Sequence, residues 1–404
     1  MFMVFATHVM SRSRPTGSRY SGIRALRLGI LKRLRRQKSK RVLNKDIMDK
    51  YRIDSHKLLW HLDRVLEWQK IRVVPPIYIE VSPVSFCNHN CIFCGIDFAR
   101  IEKFELKSDY FCKRLEEMGK LGVRSIMFAG EGEPLLHKDL PKFVRVGKEG
   151  GIDISLTTNG TLGNYEIWEE ILPFLTWIRF SVDAGTPDVH AKVHNVSTNL
   201  FPKTVKSIEE AVKVKHKMNL NVTIGVQFLI IDENISDIEN AMTLFSGIGV
   251  DYFTLKSYSL HPQMIKKMDA LYTDGIIKHI NEFVDKYRNS SNMNIIFRRK
   301  AIRKYMDGNK MYQHCRALPF WGYISSRGDF YTCSVFIGDE RFKAGNIYES
   351  DMKQIFSGDK RRTSIDYGEK TLLIADECRL NCRMARINEF LEMLENKPEH
   401  MNFI

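Results

Sequence analysis

The chain has 404 residues, 44% of them hydrophobic and 27% charged, which is enough for a sizeable core and one to three domains. No apolar run reaches the roughly 18 residues that a membrane-spanning helix requires, and the first residues lack the order of a signal peptide. The net charge of +14 is concentrated in residues 1–41, which hold twelve Arg or Lys and no acid. The rest of the chain carries fifty basic against forty-eight acidic side chains, which disfavours a nucleic-acid-binding body.

Residues 1–43 are interpreted as a basic N-terminal extension. The apolar residues between Ile23 and Leu34 would form one face of a basic amphipathic helix, which would suit an anionic surface such as a membrane or nucleic acid. A solvated extension without a partner is the alternative.

Strand-like and helix-like runs alternate after a helical lead-in at residues 44–74. The predicted strands are 76–82, 124–130, 152–158, 177–183, 221–230 and 251–257, and the predicted helices are 108–121, 139–149, 165–175, 202–217 and 236–248. Six such units in one line predict parallel strands with right-handed crossovers over residues 75–300, in an open sheet or a partial barrel. Ligands bind outside the carboxyl ends of the strands in both architectures, so the strand-end residues matter most.

The pattern changes after about residue 300. Residues 308–390 hold four Cys, two short strand-like runs (WGYISSR and DFYTCSV) and scattered glycines. This composition predicts a second, smaller, cysteine-rich domain, followed by a tail at residues 391–404.

Eight cysteines in a chain without a secretory signal indicate a cytoplasmic protein, in which disulfides are unlikely and clustered thiols bind metal. Cys87, Cys91 and Cys94 follow the first predicted strand in CNHNCIFC. Three thiolates in a short loop suit an iron–sulfur cluster. Zinc with His89 as the fourth ligand is the alternative, although a residue so close in sequence rarely completes a tetrahedron.

This C-x3-C-x2-C motif, with the aromatic Phe93 before its last cysteine and a β/α series behind it, resembles the radical S-adenosylmethionine (SAM) superfamily. The resemblance implies a partial (β/α)6 TIM-like barrel and a 4Fe-4S cluster with one iron left open for the amino and carboxylate groups of SAM. It also implies one-electron cleavage of SAM to a 5′-deoxyadenosyl radical, with an external reductant such as flavodoxin or ferredoxin. Phe93 is counted among the cofactor-binding residues on this ground.

The second predicted strand ends in AGEGEPLLH, where Gly130, Gly132 and Glu133 resemble the segment of the family that receives the methionine amino group. Glycines permit the tight turn that brings backbone carbonyls close to an ammonium group. Glu131 stands where the family usually has Gly, and an ordinary turn is the alternative for the whole segment.

Three further strand ends carry polar residues. Thr158 and Asn159, after the third strand, resemble the family's contacts to the methionine end of SAM. Ser181 and Asp183, in FSVDAG, resemble its ribose-binding pair and are expected to point the same way along the fourth strand. Gln227, on the fifth strand, is a candidate for cofactor or substrate. A turn or a helix cap is the alternative for the two pairs.

Other polar residues near the strand ends have less definite interpretations. Lys256, Tyr258 and His261 follow the sixth strand and would hold polar substrate groups over the barrel mouth, or belong to a surface loop. His190 and His194 are spaced like a metal pair on a helix, but nothing nearby in sequence completes a site, so they are interpreted as structural residues.

Cys315, Cys333, Cys378 and Cys382 form the second set, and four thiolates fill one cluster completely. With Gly328 five residues before Cys333, the set resembles the Twitch domain, the smaller relative of the SPASM domain, which implies a second 4Fe-4S cluster. A zinc site is the alternative.

A cluster without an open iron suits electron acceptance, so the expected reaction is oxidation of a small sugar-like or cyclitol-like substrate. Epimerisation usually needs a thiol that donates hydrogen, and only Cys112 remains, on the apolar face of a predicted helix. A radical SAM peptide-modifying enzyme, a sugar epimerase and a non-enzymatic iron–sulfur electron carrier are the alternatives. The substrate itself cannot be read from the sequence.

Overall fold

The computed structural model describes residues 50–403, except residues 54, 101, 267–271, 289–291, 309 and 311. The predicted basic extension at 1–43 and the start of the predicted lead-in lie outside the described residues. The domain boundaries drawn from the sequence stay predictions.

One ten-stranded sheet runs through the described chain in the order β10-β9-β8-β1-β2-β3-β4-β5-β6-β7. Its strands are β1 Tyr78–Val81, β2 Ser125–Phe128, β3 Asp153–Thr158, β4 Leu175–Ser181, β5 Thr223–Ile230, β6 Tyr252–Ser257, β7 Asn294–Phe297, β8 Trp321–Ile324, β9 Asp329–Tyr331 and β10 Lys343–Asn346. Strands β1 to β7 pair in parallel with their sequence neighbours, as the alternating pattern predicts. The sheet is open, because β7 and β10 are its two outer strands.

Helices connect the strands. The helices are α1 Leu62–Ile71, α2 Ser108–Lys120, α3 Leu140–Glu149, α4 Tyr165–Ile171, α5 Pro187–His194, α6 Leu200–Lys217, α7 Ile238–Ile248, α8 Asp274–Arg288, α9 Arg299–Asp307, α10 Met352–Ser357, α11 Asp359–Lys370, α12 Ile374–Glu377 and α13 Ala385–Glu395. Asn164 caps α4 by accepting from the Ile167 N–H at 2.9 Å. Helix α7 ends where Gly249 adopts a left-handed φ of 87°.

The main core lies where the helices pack on the sheet. Phe111 of α2, Phe128 of β2 and Phe143 of α3 are fully buried together, with the Phe111 and Phe143 ring centroids 4.8 Å apart. Such edge-to-face pairs add to the burial of apolar surface. The helices therefore hold the strands in register, and the strands present their carboxyl ends at one edge.

The C-terminal region joins the same sheet. Strand β8 pairs in parallel with β1, with Tyr78 opposite Trp321, while β9 and β10 add antiparallel strands beyond it. The two strand-like runs predicted in this region are present as β8 and β9. The core holds one parallel strand more than the six that were expected, because β7 is a short run that the sequence pattern did not reveal.

Candidate metal centre and cofactor site

The CNHNCIFC loop lies directly beyond the carboxyl end of β1, and its three cysteines are free and half-buried. Two backbone hydrogen bonds fix the loop against α5: Asn90 N–H donates to the His194 carbonyl at 3.1 Å, and Ile92 N–H donates to the Val193 carbonyl at 3.0 Å. The position of the thiols therefore depends on α5 as well as on β1.

Polar side chains contact all three sulfur atoms, and two of these contacts are short. Arg100 Nη2 donates to Cys94 Sγ at 3.0 Å, and His194 Nδ1 lies 3.0 Å from Cys91 Sγ. Hydrogen bonds to cluster sulfurs are one means by which a protein sets a cluster's reduction potential. Neither Arg100 nor His194 was selected from the sequence for this role.

Burial raises the pKa of the Cys87 thiol, and burial together with the neighbouring cysteines raises the pKa of Cys91 well above its ordinary value. Thiolates at Cys87 and Cys91 are therefore unfavourable unless cations replace their protons, as bound iron does. The donor set fits the three-thiolate cluster that the sequence predicts.

His190 and His194 were interpreted as structural residues because nothing near them in sequence completes a site, but α5 brings His194 to the cysteine loop. His190 is completely buried beside His194, with ring centroids 4.5 Å apart. His89 Nε2 lies 2.8 Å from Thr161 Oγ1. The i, i+4 spacing of His190 and His194 was the only sequence signal for such a site. Cys91, the partner of His194, lies about a hundred residues away in sequence.

The spacing of the sulfur atoms helps to distinguish a cluster from a single zinc ion. Zn–S bonds of about 2.3 Å in a tetrahedron place the sulfurs roughly 4 Å apart. Among the described residues, which include all eight cysteines, no three cysteine sulfurs lie within 4.8 Å of one another; the only such ligand group combines His89, Cys91 and His194. Neither cysteine set brings three sulfur atoms together at that spacing within the described residues.

The Gly130–Glu133 segment lies against the cysteine loop. Gly130 has a φ of 109°, and a Cβ on Gly132 would lie 2.1 Å from the Phe86 carbonyl oxygen, so only glycine fits the second position. Glu133 N–H donates to the same carbonyl at 3.0 Å. The second strand end is therefore bonded directly to the loop that carries the thiols.

Glu133 connects this segment to the end of β3. Its buried carboxylate accepts from Thr158 Oγ1 at 2.5 Å and from Asn159 N–H at 2.8 Å. Asn159 Nδ2 in turn lies 3.9 Å from Cys87 Sγ. The structure thus brings together three of the residues selected from the sequence, beside the first cysteine.

Glu131, at the position where the family usually has Gly, connects the segment to the C-terminal region. Its carboxylate, 3% exposed, accepts from Tyr323 Oη at 3.2 Å and from the Ser326 hydroxyl and N–H. Burial raises its pKa to about 7. Glu131, the residue that departs from the motif, therefore contacts β8 and the residues that follow it.

The fourth and fifth strand ends meet at two contacts. Gln227 Nε2 donates to Ser181 Oγ at 3.3 Å, and Asp183 accepts from Leu229 N–H at 2.6 Å. The expectation that Ser181 and Asp183 share one strand face is wrong, because β4 ends at Ser181 and Asp183 has a left-handed φ of 57°. Asp183 is fully buried, and burial raises its pKa to about 7.

The residues after the sixth strand, Tyr258 and His261, are buried rather than in a surface loop, and Lys256 is half-buried. Tyr258 is fully buried and donates to Met264 Sδ at 3.0 Å, and the His261 ring stacks on Phe98. Phe93 is half-buried, with its ring centroid 5.4 Å from that of His194.

The second cysteine set converges in the C-terminal core, where Cys315 and Cys333 are buried and Cys378 and Cys382 are half-buried. Burial and the nearby Cys382 raise the pKa of Cys315 to about 12. Met384 N–H donates to Cys382 Sγ at 3.4 Å. Four such thiols fit a completely ligated cluster, with iron supplying the charge that replaces their protons.

Two family profiles match the chain. The profile of the radical SAM superfamily matches residues 81–245, which include the first three cysteines and the four strand ends described above. The chain therefore contains a radical SAM domain. The profile of an iron–sulfur cluster-binding domain, SPASM, matches residues 315–383, which span the second set. The predicted superfamily, its SAM cofactor and its two 4Fe-4S clusters are thereby confirmed as properties of the matched domains.

Relatives of known name are enzymes or cofactor-modifying proteins. The chain is 28% identical to a probable GTP 3′,8-cyclase of Sulfurisphaera tokodaii, over 52% of this chain and 64% of the relative. It is 27% identical to a tungsten-containing aldehyde ferredoxin oxidoreductase cofactor-modifying protein of Pyrococcus furiosus, over 50% and 56%. The chain thus spans less than two thirds of either relative.

Solved structures agree on the fold. The structure of Streptococcus suis SuiB bound to the precursor peptide SuiA has a TM-score of 0.59 and 20% identity, over 81% of this chain and 76% of that one. The predicted partial-barrel fold is confirmed by this likeness, which concerns architecture alone. Within the described residues, no helix is both long and apolar enough to cross a membrane.

Proposed function

We propose that this radical SAM enzyme abstracts a hydrogen atom from a small polar, sugar-like or cyclitol-like substrate and oxidises it to a carbonyl. The hydrogen atom goes to 5′-deoxyadenosine, the hydroxyl proton to solvent and the remaining electron to the auxiliary 4Fe-4S cluster. When bound, SAM and its three-cysteine cluster supply the 5′-deoxyadenosyl radical. The observation that carries the proposal is the presence of two separate thiol sets, one with three donors and one with four.

The strand-end residues bind and orient the cofactor in this proposal. Gly130, Gly132 and Glu133 receive the amino group, because they lie against the cysteine loop and one carbonyl of that loop accepts from Glu133 N–H. The residues assigned to the rest of SAM are Phe93, Thr158, Asn159, Ser181, Asp183 and Gln227. The network from Glu133 through Asn159 to Cys87 supports this arrangement, since it links both halves of the proposed site.

The location of Cys112 favours oxidation over epimerisation. Its side chain is only 9% exposed within the helix-packed core, where Phe111 and Leu115 are fully buried beside it. A thiol at that position cannot deliver hydrogen to a radical at the carboxyl ends of the strands. Epimerisation and peptide modification remain the alternatives that a product assay would separate.

The electron source and the location of the enzyme are parts of the same proposal. An external one-electron carrier such as flavodoxin or ferredoxin supplies the electron for SAM cleavage. The clustered free thiols suit a reducing compartment such as the cytoplasm.

Anaerobic reconstitution, with iron, sulfide and zinc counted per chain, tests the proposal. We expect about eight iron atoms and no stoichiometric zinc, as two four-iron clusters require. Cys87→Ala should lose about four irons and all 5′-deoxyadenosine formation, while the matched control Cys112→Ala should keep both. About four irons with one zinc would remove the electron-acceptor role, and 5′-deoxyadenosine made by Cys87→Ala would overturn the site assignment.

A further inference from the structure

The guanidinium group of Arg100 joins the cysteine loop to the end of β2. Its Nη2 donates to Cys94 Sγ at 3.0 Å, and its Nε donates to the Glu131 carbonyl at 2.8 Å. Its Nη1 donates to the His89 carbonyl, within the cysteine loop, at 3.4 Å. Glu131 belongs to the segment that is proposed to receive the amino group of SAM. One side chain therefore contacts both a thiol of the first cysteine set and the segment beside the proposed methionine site.

A short turn carries Arg100 back over the cysteine loop. The turn is a single 3-10 helix, Asp97–Ala99, and Arg100 N–H closes it by donating to the Asp97 carbonyl at 3.3 Å. The Asp97 carboxylate accepts from the N–H groups of Ile265 and Lys266 at 3.0 and 2.9 Å, which fixes the turn to the chain beyond β6. The place of Arg100 is thus determined by backbone contacts outside the cysteine loop as well as within it.

No carboxylate pairs with the positive charge of Arg100 in the described part of the chain. Its three acceptors are two carbonyl oxygens and one sulfur atom. The carboxylates closest in sequence bond elsewhere, Asp97 to backbone N–H groups and Glu102 to Arg327 at 3.0 Å. A half-buried cation without an anionic partner is unfavourable. A four-iron cluster on three thiolates carries net negative charge, so it would compensate the charge of Arg100.

The charge of Arg100 acts on all three thiols of the first cysteine set. Burial raises the pKa of the Cys87 and Cys91 thiols, and the positive charge of Arg100 opposes this rise at both. The third thiol, that of Cys94, is the one that the guanidinium contacts directly. Reduction adds one negative charge to the cluster that these thiols would hold, and a cation in contact with a ligand sulfur stabilises that charge.

We propose that Arg100 is a positioning residue that raises the reduction potential of the SAM-binding cluster and holds the Glu131 carbonyl beside the methionine end of SAM. The inference depends on the radical SAM domain and is independent of the substrate. Arginine suits both tasks, because its planar fork donates several hydrogen bonds in fixed directions, whereas lysine is a point charge on a flexible stem. A lysine at this position would keep the charge but lose the bridge between the two segments.

A redox titration of the anaerobically reconstituted protein tests the effect on the cluster. Electron paramagnetic resonance distinguishes the SAM-binding cluster, since its reduced signal is the one that changes when SAM is added. We expect Arg100→Gln to lower the ratio of reduced to oxidised cluster at least tenfold at a fixed potential, a shift of about 59 mV for one electron. Arg100→Lys should restore most of this ratio, because it restores the charge.

Equilibrium dialysis tests the effect on the cofactor. The Kd of SAM should rise roughly threefold or more in both Arg100→Gln and Arg100→Lys, because both lose the bond that fixes the Glu131 carbonyl. The two variants therefore separate the charge of Arg100, which acts on the potential, from its bridge, which acts on SAM affinity.

Arg64→Gln is the matched control. Arg64 is also half-buried and also donates to two carbonyls, those of Pro75 and Gly122. These residues precede β1 and β2, so Arg64 lies at the amino ends of the strands, at the edge of the sheet opposite the cysteine loop. The control should keep the wild-type potential, SAM affinity and iron content.

Four outcomes would overturn the inference. An unchanged potential in Arg100→Gln at full iron content would remove the effect on the cluster, and an equal shift in Arg64→Gln would show a general effect of lost charge. A potential that falls as far in Arg100→Lys as in Arg100→Gln would exclude the charge as its cause. Loss of iron in both Arg100 variants would make the residue necessary for cluster retention instead.

Failure of the proposed function has a different signature. If the wild type lacks the second cluster or forms no oxidised product, while the first cluster responds to the Arg100 variants as expected, the proposed oxidation fails and this inference stands. If both clusters are present and product forms, but the potential is unchanged in Arg100→Gln, only this inference fails.

Discussion

Replacing Glu131 by Gln should abolish a pH dependence of stability that this residue introduces. The Glu131 carboxyl is buried between the two family domains, and its hydrogen bonds with Ser326 and Tyr323 only partly compensate for burial. Its pKa rises from an ordinary value of 4.5 to about 7. The folded protein therefore holds a proton that the unfolded chain releases over this range.

The difference between the pKa of Glu131 in the folded protein and in the unfolded chain determines the size and the sign of the change in stability with pH. A pKa raised from 4.5 to about 7 corresponds to about 3 kcal/mol of unfolding free energy. Because the acid is favoured in the folded state, the contribution is complete below pH 4.5 and is lost as the pH rises through about 7. Gln keeps the shape of the side chain, still donates and accepts hydrogen bonds, and has no proton to lose.

Urea unfolding of the anaerobically reconstituted proteins between pH 5 and 8 measures this difference. We expect wild type to lose about 2.5 kcal/mol relative to Glu131→Gln between pH 5 and 8, because part of the full effect is already lost at pH 5. Taking the difference between the two proteins removes the pH effects that they share, including those on the clusters. Glu209→Gln, at an exposed position on α6, should run parallel to wild type. Parallel profiles for wild type and Glu131→Gln would refute the assignment of a raised pKa to Glu131.

Three further substitutions test other parts of the structure. Gly132→Ala should lower SAM affinity at least tenfold, because the alanine Cβ would lie 2.1 Å from the Phe86 carbonyl oxygen. Equilibrium dialysis measures this affinity, and an unchanged value would contradict the close approach. Cys112→Ala should reduce stability by about 1 kcal/mol in urea and leave the iron content unchanged, as expected of a core residue. Arg361→Ala should lower the unfolding free energy of the protein by about 3 kcal/mol. The fully buried guanidinium donates to three carbonyls, those of Phe356, Val74 and Pro319. A loss below about 1 kcal/mol in urea unfolding would contradict this role.

Periodicity and motif spacing were sufficient to predict the first six strands and both cysteine sets. Each strand is a run of apolar residues followed by a polar turn, a signal that is local in sequence. Strand β7, Asn294–Phe297, was not predicted, although it is as long as β1 and β2. The pairing of β8 with β1 was also missed, since it joins residues more than two hundred positions apart and local patterns carry no information on such contacts.

The candidate site shows the same division between local and distant signals. Glu133 and Asn159 were found by motif, but the hydrogen bond between them became visible only in the structure. The contact of His194 with Cys91 was not predicted, because it depends on how α5 docks on the cysteine loop. Asp183 was placed on the wrong face because period-two alternation applies only within a strand, and β4 ends before it.

The departure of Glu131 from the family motif has a structural explanation in the way the two domains join. Strand β8 extends the core sheet beside β1, and two polar contacts reinforce that edge: Glu131 with Ser326 and Arg383 with Glu80. A third contact, of Asn381 with the Tyr258 carbonyl, joins the C-terminal region to the end of β6. Arg383 and Asn381 lie in or beside the loop that carries Cys382. These contacts hold the second cysteine set on the barrel, so a change at this junction should lower the retention of auxiliary iron.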